Sequence, residues 1–176
     1  KNVQAAIALA GAVRSTLGPK GLDKLLVDDQ GETLVTNDGV TVLETARVEH
    51  PVAKMIISAS STQDRVARDG TTTTVVICAE MLRNAWQLVT QGVHPTIIAR
   101  GFALAEKFAL SSLDDLAIKA STEQIKSAIE TSLASKLDKG IEKHLAALSL
   151  QAGETILSEG RADPTRVKII KQTGGK

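Results

Sequence analysis

Aromatic side chains are nearly missing from this sequence: 176 residues hold two Phe, one Trp and no Tyr. Single-stranded nucleic acid is gripped by stacking bases on aromatic platforms, and this chain has nothing to build one from. The core must instead come from Ala, Leu, Ile and Val, which suits closely packed helices. Cysteine is reduced to Cys78, which excludes an internal disulfide. Within the apolar run VVICAEML it is expected to be a buried, inert thiol of a reducing compartment. No stretch reaches the ~18 consecutive apolar residues of a membrane span. An excess of one charge is also lacking, since 21 basic and 20 acidic side chains leave a net +1. That balance gives no electrostatic reason to expect a nucleic-acid partner or an anionic membrane. The N-terminus lacks a signal-peptide layout, because its Ala-rich stretch runs directly into a helical pattern ending with Arg14. The expectation is a cytoplasmic protein.

What is present is ordinary for a globular chain: 43% hydrophobic and 23% charged residues, enough for one substantial core or a core plus a smaller lobe. Val3, Ile7, Ala10, Val13 and Leu17 recur at helical spacing, and Gly18-Pro19 stops the helix. Leu25–Val27 and Leu34–Val35 flank Asp-Asp-Gln-Gly and read as a hairpin. Asn37-Asp38-Gly39 reads as a second turn. Beyond it the pattern is helical. Pro51 and Pro95 each stand at a first helical position, and Asp69-Gly70 separates two helices. The later of these ends near Gly92. Ser121 and Gln124 have capping-box spacing. Leu137, Ile141, Leu145, Leu148, Ala152 and Ile156 form a long apolar stripe. Val167–Ile170 reads as a strand, and a Gly-Gly break follows.

Three segments carry residues suited to chemistry. Thr16-Leu17-Gly18-Pro19-Lys20-Gly21 offers two glycines for close backbone approach and a cation, although taken alone it is a helix stop with a tight turn. Arg68-Asp69-Gly70-Thr71-Thr72-Thr73-Thr74 precedes a predicted helix. Unpaired N–H groups and the positive end of the helix dipole make such a start a site for phosphate, and a carboxylate beside it can hold Mg²⁺. The alternative is an Asp or Thr cap with no ligand, and four consecutive Thr are poor helix formers that capping alone does not explain. Thr36-Asn37-Asp38-Gly39-Val40-Thr41 is the third candidate, and taken alone it reads as a plain turn. No Walker A spacing occurs, and His50, His94 and His144 lack metal-ligand spacing, so His50 and His94, each before Pro, are expected at caps or on the surface.

In order and spacing, LGPKG (17–21), VTNDGVTVL (35–43), VEHPVAKM (48–55), TQD (62–64), DGTTTTVV (69–76), GVHPTII (92–98) and TSLASK (131–136) resemble the group II chaperonins, the archaeal thermosome and its eukaryotic cytosolic relatives. The resemblance covers nearly the whole chain. It implies a mainly α fold: an equatorial-domain-like helical bundle with a small β-hairpin over residues 1–119, then a partial α/β intermediate-domain segment over 120–176 that leads to an apical domain. It also implies ATP/ADP and Mg²⁺ as cofactors. Leu17, Gly18 and Pro19 would line the phosphates with Gly39 against them, and Gly70, Thr71, Thr72 and Thr73 would donate to phosphate oxygens. Asp69 would hold the metal, and Lys136 would lie in the segment that senses the γ-phosphate. Partners would be other chaperonin subunits in a double ring and unfolded protein clients held by the apical domain.

Departures from the family pattern accompany these matches. The aspartate that activates the attacking water, and much of the nucleoside pocket, belong to family segments beyond the apical domain and outside these residues. ATP turnover is therefore not expected of the chain by itself. Arg68 stands where the family has glycine, so a long cation there is expected to alter the phosphate site. The competing reading is a truncated or degenerate chaperonin-like interaction protein that has kept the fold without turnover.

Overall fold

The computed structural model describes residues 1–46, 48–134 and 136–170. It is mainly α, with seven helices and a small antiparallel hairpin among the described residues. The chain divides into two compact units, Lys1–Ile118 and a second beginning at Lys119.

The first unit is built around α1 (Asn2–Val13), α2 (Gly39–Thr45), α3 (Pro51–Ala67) and α4 (Thr71–Thr90). Their shared core is made of Ala6, Leu9, Ala10, Val13, Val42, Leu43, Ala53, Ile56, Val75 and Ala79. Four of these ten are Ala, so helix backbones approach closely without aromatic filler, and tight packing stands in for the large side chains the sequence lacks. Cys78 packs against this core but stays only half-buried, a correction to the expected fully buried thiol. One polar side chain, Ser60 of α3, is completely buried, and its hydroxyl donates to the Thr71 carbonyl at 3.2 Å. The first turn of α4 is thereby fastened to α3.

Local signals set most element ends. The apolar periodicity of the first helix breaks earlier than expected: α1 stops at Val13, and Arg14–Thr16 tighten into a 3₁₀ turn before Leu17 becomes extended. β1 (Lys24–Val27) pairs with β2 (Thr33–Thr36), Leu25 opposite Val35, around a loop in which Asp28 Oδ1 accepts from the Gln30 and Glu32 amides at 2.8 and 2.9 Å. His50 and His94 cap α3 and α5 (Pro95–Leu116) through Nδ1, accepting from the Val52 and Thr96 amides. The end of α4 is a Schellman motif: Gly92, at φ 94°, donates to Val89 O, and Val93 donates to Leu88 O, each at 3.0 Å. Along α5, Ile98 is buried, whereas Ala105 and Ala109 are exposed, as are Leu104, Phe108 and Leu113.

The Asn37-Asp38-Gly39 segment is the main correction in this unit. It was expected to be a turn, yet none of the three has a positive φ, and Asp38 is the N-cap of α2. Its Oδ2 accepts from the Thr41 amide at 2.9 Å and from the Thr41 hydroxyl at 2.7 Å. Asn, Asp and Gly favour turns and helix starts for the same reason, their short side chains competing for local backbone donors.

In the second unit α6 (Thr122–Leu133) pairs with α7 (Lys139–Ile156). The predicted capping box is present: the Gln124 amide donates to Ser121 Oγ at 3.3 Å, and the Ser121 amide donates to Gln124 Oε1 at 2.8 Å. Two-residue strands β3 (Leu157–Ser158) and β4 (Arg161–Ala162) follow, then a 3₁₀ turn at Pro164–Arg166. The strand expected at Val167–Ile170 does not form, and these residues take no regular structure. Strand formation needs a neighbouring edge, and among the described residues none pairs with this segment. The Gly-Gly break lies outside the described residues. No helix among them is long and apolar enough to cross a membrane.

Replacing Ser121 by Ala removes one half of the capping box and should destabilise the second unit by about 1 kcal/mol, whereas Ser121→Asp should cost only a few tenths. Urea denaturation followed by helical circular dichroism measures both.

Candidate functional site

The start of α4 is prepared by an unusual approach. α3 ends at Ala67, and Arg68 turns left-handed at φ 55°, its amide donating to Asp64 O at 2.8 Å. A non-glycine residue in that region carries a strain of roughly 1 kcal/mol. The Arg68 guanidinium reaches back to Asp64 Oδ2 at 3.2 Å and is well exposed. Asp69 is exposed, held through its carbonyl by Gln63 Nε2 at 3.0 Å, and its Oδ1 accepts from the Gly70 amide at 2.7 Å. Gly70 itself is left-handed, at φ 79°, and is the N-cap. No side chain caps α4, so neither Asp69 nor a Thr plays the capping role that was the alternative reading. A twenty-residue helix thus begins with its first-turn N–H groups given no side-chain acceptor and with its positive dipole end intact. Thr71 and Thr72 are buried, Thr73 is exposed, and the Thr74 hydroxyl donates back to Gly70 O at 2.9 Å.

The Leu17–Gly21 loop abuts this start through Thr16. That side chain is buried and donates to Val13 O at 2.8 Å, so in its 3.4 Å contact with Thr72 Oγ1 the Thr72 hydroxyl is the donor. The loop then folds on itself, with the Gly21 amide donating to Gly18 O at 2.9 Å and the Leu22 amide to Ser15 O at 2.7 Å. Gly18 sits at φ 82°, a conformation costly for any side chain. Leu17, Gly18, Pro19 and Lys20 stay exposed. Ser15 keeps a buried hydroxyl oxygen without a partner.

The third wall is Gly39, the buried first residue of α2. A Cβ there would lie 2.1 Å from Thr72 Oγ1 and 3.3 Å from Thr72 Cβ, so only glycine lets α2 start against α4. Three segments far apart in sequence therefore meet at one side chain, Thr72. Thr16 opens the first candidate segment, but its pairing with Thr72, 56 positions away, leaves no local signal in the sequence. Lys136 belongs to the second unit, where it is exposed and its amide donates to Leu133 O at 2.9 Å.

Chemically the arrangement offers backbone donors, a helix dipole and one accessible carboxylate, a set suited to a phosphate with its cation. Among the described residues no cluster of three or more His, Cys, Asp or Glu could hold a metal unaided. Mg²⁺ does not require one, since it takes one or two carboxylates and completes its shell with phosphate oxygens and water.

The Gly39–Thr72 contact can be tested without ligand. Gly39→Ala should lose about 1–3 kcal/mol through overpacking. Adding Thr72→Ala removes the clashing hydroxyl, so the double variant should be more stable than the sum of the two single changes predicts. Thermal denaturation of the four proteins completes the cycle.

The family model described as the TCP-1/cpn60 chaperonin family matches residues 9–176. Thermosome subunit alpha of Archaeoglobus fulgidus is 41% identical over 99% of this chain and 33% of its own length. Thermosome subunit beta of Thermoplasma acidophilum is 40% identical over 99% of this chain and 34% of its own. Thermosome subunit 2 of Haloferax volcanii is 43% identical over 98% and 32%. The chain spans about a third of the length of these curated relatives. With the motifs in place on the mainly helical fold just described, the chain belongs to the TCP-1/cpn60 chaperonin family.

Proposed function

We propose that this chain supplies the phosphate- and magnesium-holding part of an ATP-driven chaperonin subunit. One observation carries the reading: Thr72, at an uncapped helix start, is touched both by Thr16 at the head of the Leu17–Gly21 loop and by Gly39. In this reading Leu17, Gly18, Pro19 and Gly39 form the walls of the phosphate site for ATP or ADP. The amides of Thr71, Thr72 and Thr73 and the exposed Thr73 hydroxyl would donate to the phosphate oxygens, with Gly70 giving the backbone room to approach them. Asp69 is the Mg²⁺ ligand: it is exposed, and its bond to the Gly70 amide occupies only Oδ1. When bound, Mg²⁺ would neutralise phosphate charge during transfer to water.

Residues 1–119, which contain the first unit, correspond in this proposal to the nucleotide-binding equatorial part. Residues 120–176, with Lys136, correspond to the start of the intermediate part that responds to the γ-phosphate. The relatives are named as thermosome subunits, which supports assembly of this chain with other chaperonin subunits in a ring. Folding of client proteins in the cytoplasm is proposed on the same family ground.

Asp69→Asn separates the metal role from a structural one, because an Asn oxygen can still accept the Gly70 amide while the negative charge is gone. Titration calorimetry of the chain with ATP should show strong Mg²⁺ enhancement of affinity that falls at least about tenfold in the variant, on the scale of one charged interaction. The thermal midpoint should hardly move. Equal Mg²⁺ dependence in both proteins would remove Asp69 as ligand. Absence of nucleotide binding in the parent chain would favour the degenerate interaction protein.

A further inference from the structure

Glu80 lies on α4, well away from the proposed phosphate walls, yet it is the centre of an ion triad. Its Oε1 accepts from Arg14 Nη2, and its Oε2 pairs with Arg83 Nη2 one turn further along the same helix. Both carboxylate oxygens are therefore occupied, one by each arginine. Arg14 opens the 3₁₀ turn leading into Leu17–Gly21, and its carbonyl accepts the Leu17 amide at 3.3 Å. The segment from Arg14 to Leu17 is thus attached to α4 twice. One attachment is the Thr16–Thr72 hydroxyl contact beside the proposed phosphate site. The other is the Arg14–Glu80 pair, which lies eight residues, or about 12 Å, further along the helix from Thr72. One contact fixes a point, whereas two fix a direction, so the pair sets the angle at which the loop leaves α1.

We propose that Glu80 is a positioning residue, which through Arg14 holds the 15–22 loop against α4 in the orientation that phosphate binding requires. The role in binding rests on the phosphate reading above; the clamp itself does not. The pair is partly exposed, with side-chain exposures of 54% for Arg14 and 29% for Glu80, so its effect belongs in loop order and ligand affinity rather than in global stability.

Two measurements on the whole chain test this, using parent, Glu80→Gln, Arg14→Gln and Arg14→Lys. Without nucleotide, amide hydrogen exchange at Gly21 and Leu22 should speed up in both Gln variants. The Gly31 amide, bonded to Asp28 O in the hairpin, should not respond. Titration with Mg-ADP should show affinity weakened about twofold to fivefold in the Gln variants, the size expected of a partly exposed ion pair. Arg14→Lys should restore both readouts with little change in thermal midpoint among the four. Unchanged exchange at Gly21 and Leu22 overturns the clamp whether or not nucleotide binds. Faster exchange with parental affinity overturns its role in binding. If the parent binds no nucleotide while the exchange responds, the phosphate reading fails and the clamp stands.

Discussion

The missing side chain of Gly39 is the constraint on which the site depends. Because a hydrogen faces Thr72 where any other residue would place a carbon 2.1 Å from its hydroxyl, α2 can begin directly against the first turn of α4. That approach leaves Thr72 Oγ1 in reach of Thr16, and Thr16 in turn introduces the Leu17–Gly21 loop. Any displacement of α2 would pass through Val42 and Leu43 into the core shared with α1, α3 and α4. Close packing transmits such shifts instead of absorbing them. Site and core are therefore parts of one packing solution.

The composition explains why such a solution is available. Without aromatic bulk, the helices of the first unit meet through Ala6, Ala10, Ala53 and Ala79, and short side chains bring backbones close. The same closeness lets a buried serine, Ser60, hold the Thr71 carbonyl of the neighbouring helix. α4 then tolerates a start that is poor by helix propensity: four Thr, a left-handed Gly at the cap and no side-chain acceptor. Local preference is overridden there by tertiary contacts. The first-turn amides of α4 are left without a side-chain acceptor, a pattern expected where function competes with local stability.

Features with a purely local cause were legible in the sequence. Pro51, Pro95 and the Ser121/Gln124 pair marked helix starts correctly, because a cap is made within a single turn. The hairpin was legible from its turn residues. Features that depend on partners were not. Asp38 had the residue type of a turn and proved to be a cap for a seven-residue helix, since one side chain serves either purpose. Val167–Ile170 had strand composition and no edge to join among the described residues. The pairings of Thr16 and Glu80 gave no warning, because their partners lie 56 and 66 residues away. Motif order pointed to the Thr run, but that Gly39 and Thr16 share one partner there emerged only from the geometry.

The central claim is that these three segments form a single phosphate site. Amide chemical shifts of isotopically labelled chain, followed during a titration with Mg-ADP, test it most directly. The account predicts concerted, saturable shifts at Gly18, Gly39 and Gly70–Thr73, with one common dissociation constant and little change at Gly92 or Gly31. Shifts confined to one segment, or different apparent constants at Gly18, Gly39 and Gly70, would contradict it.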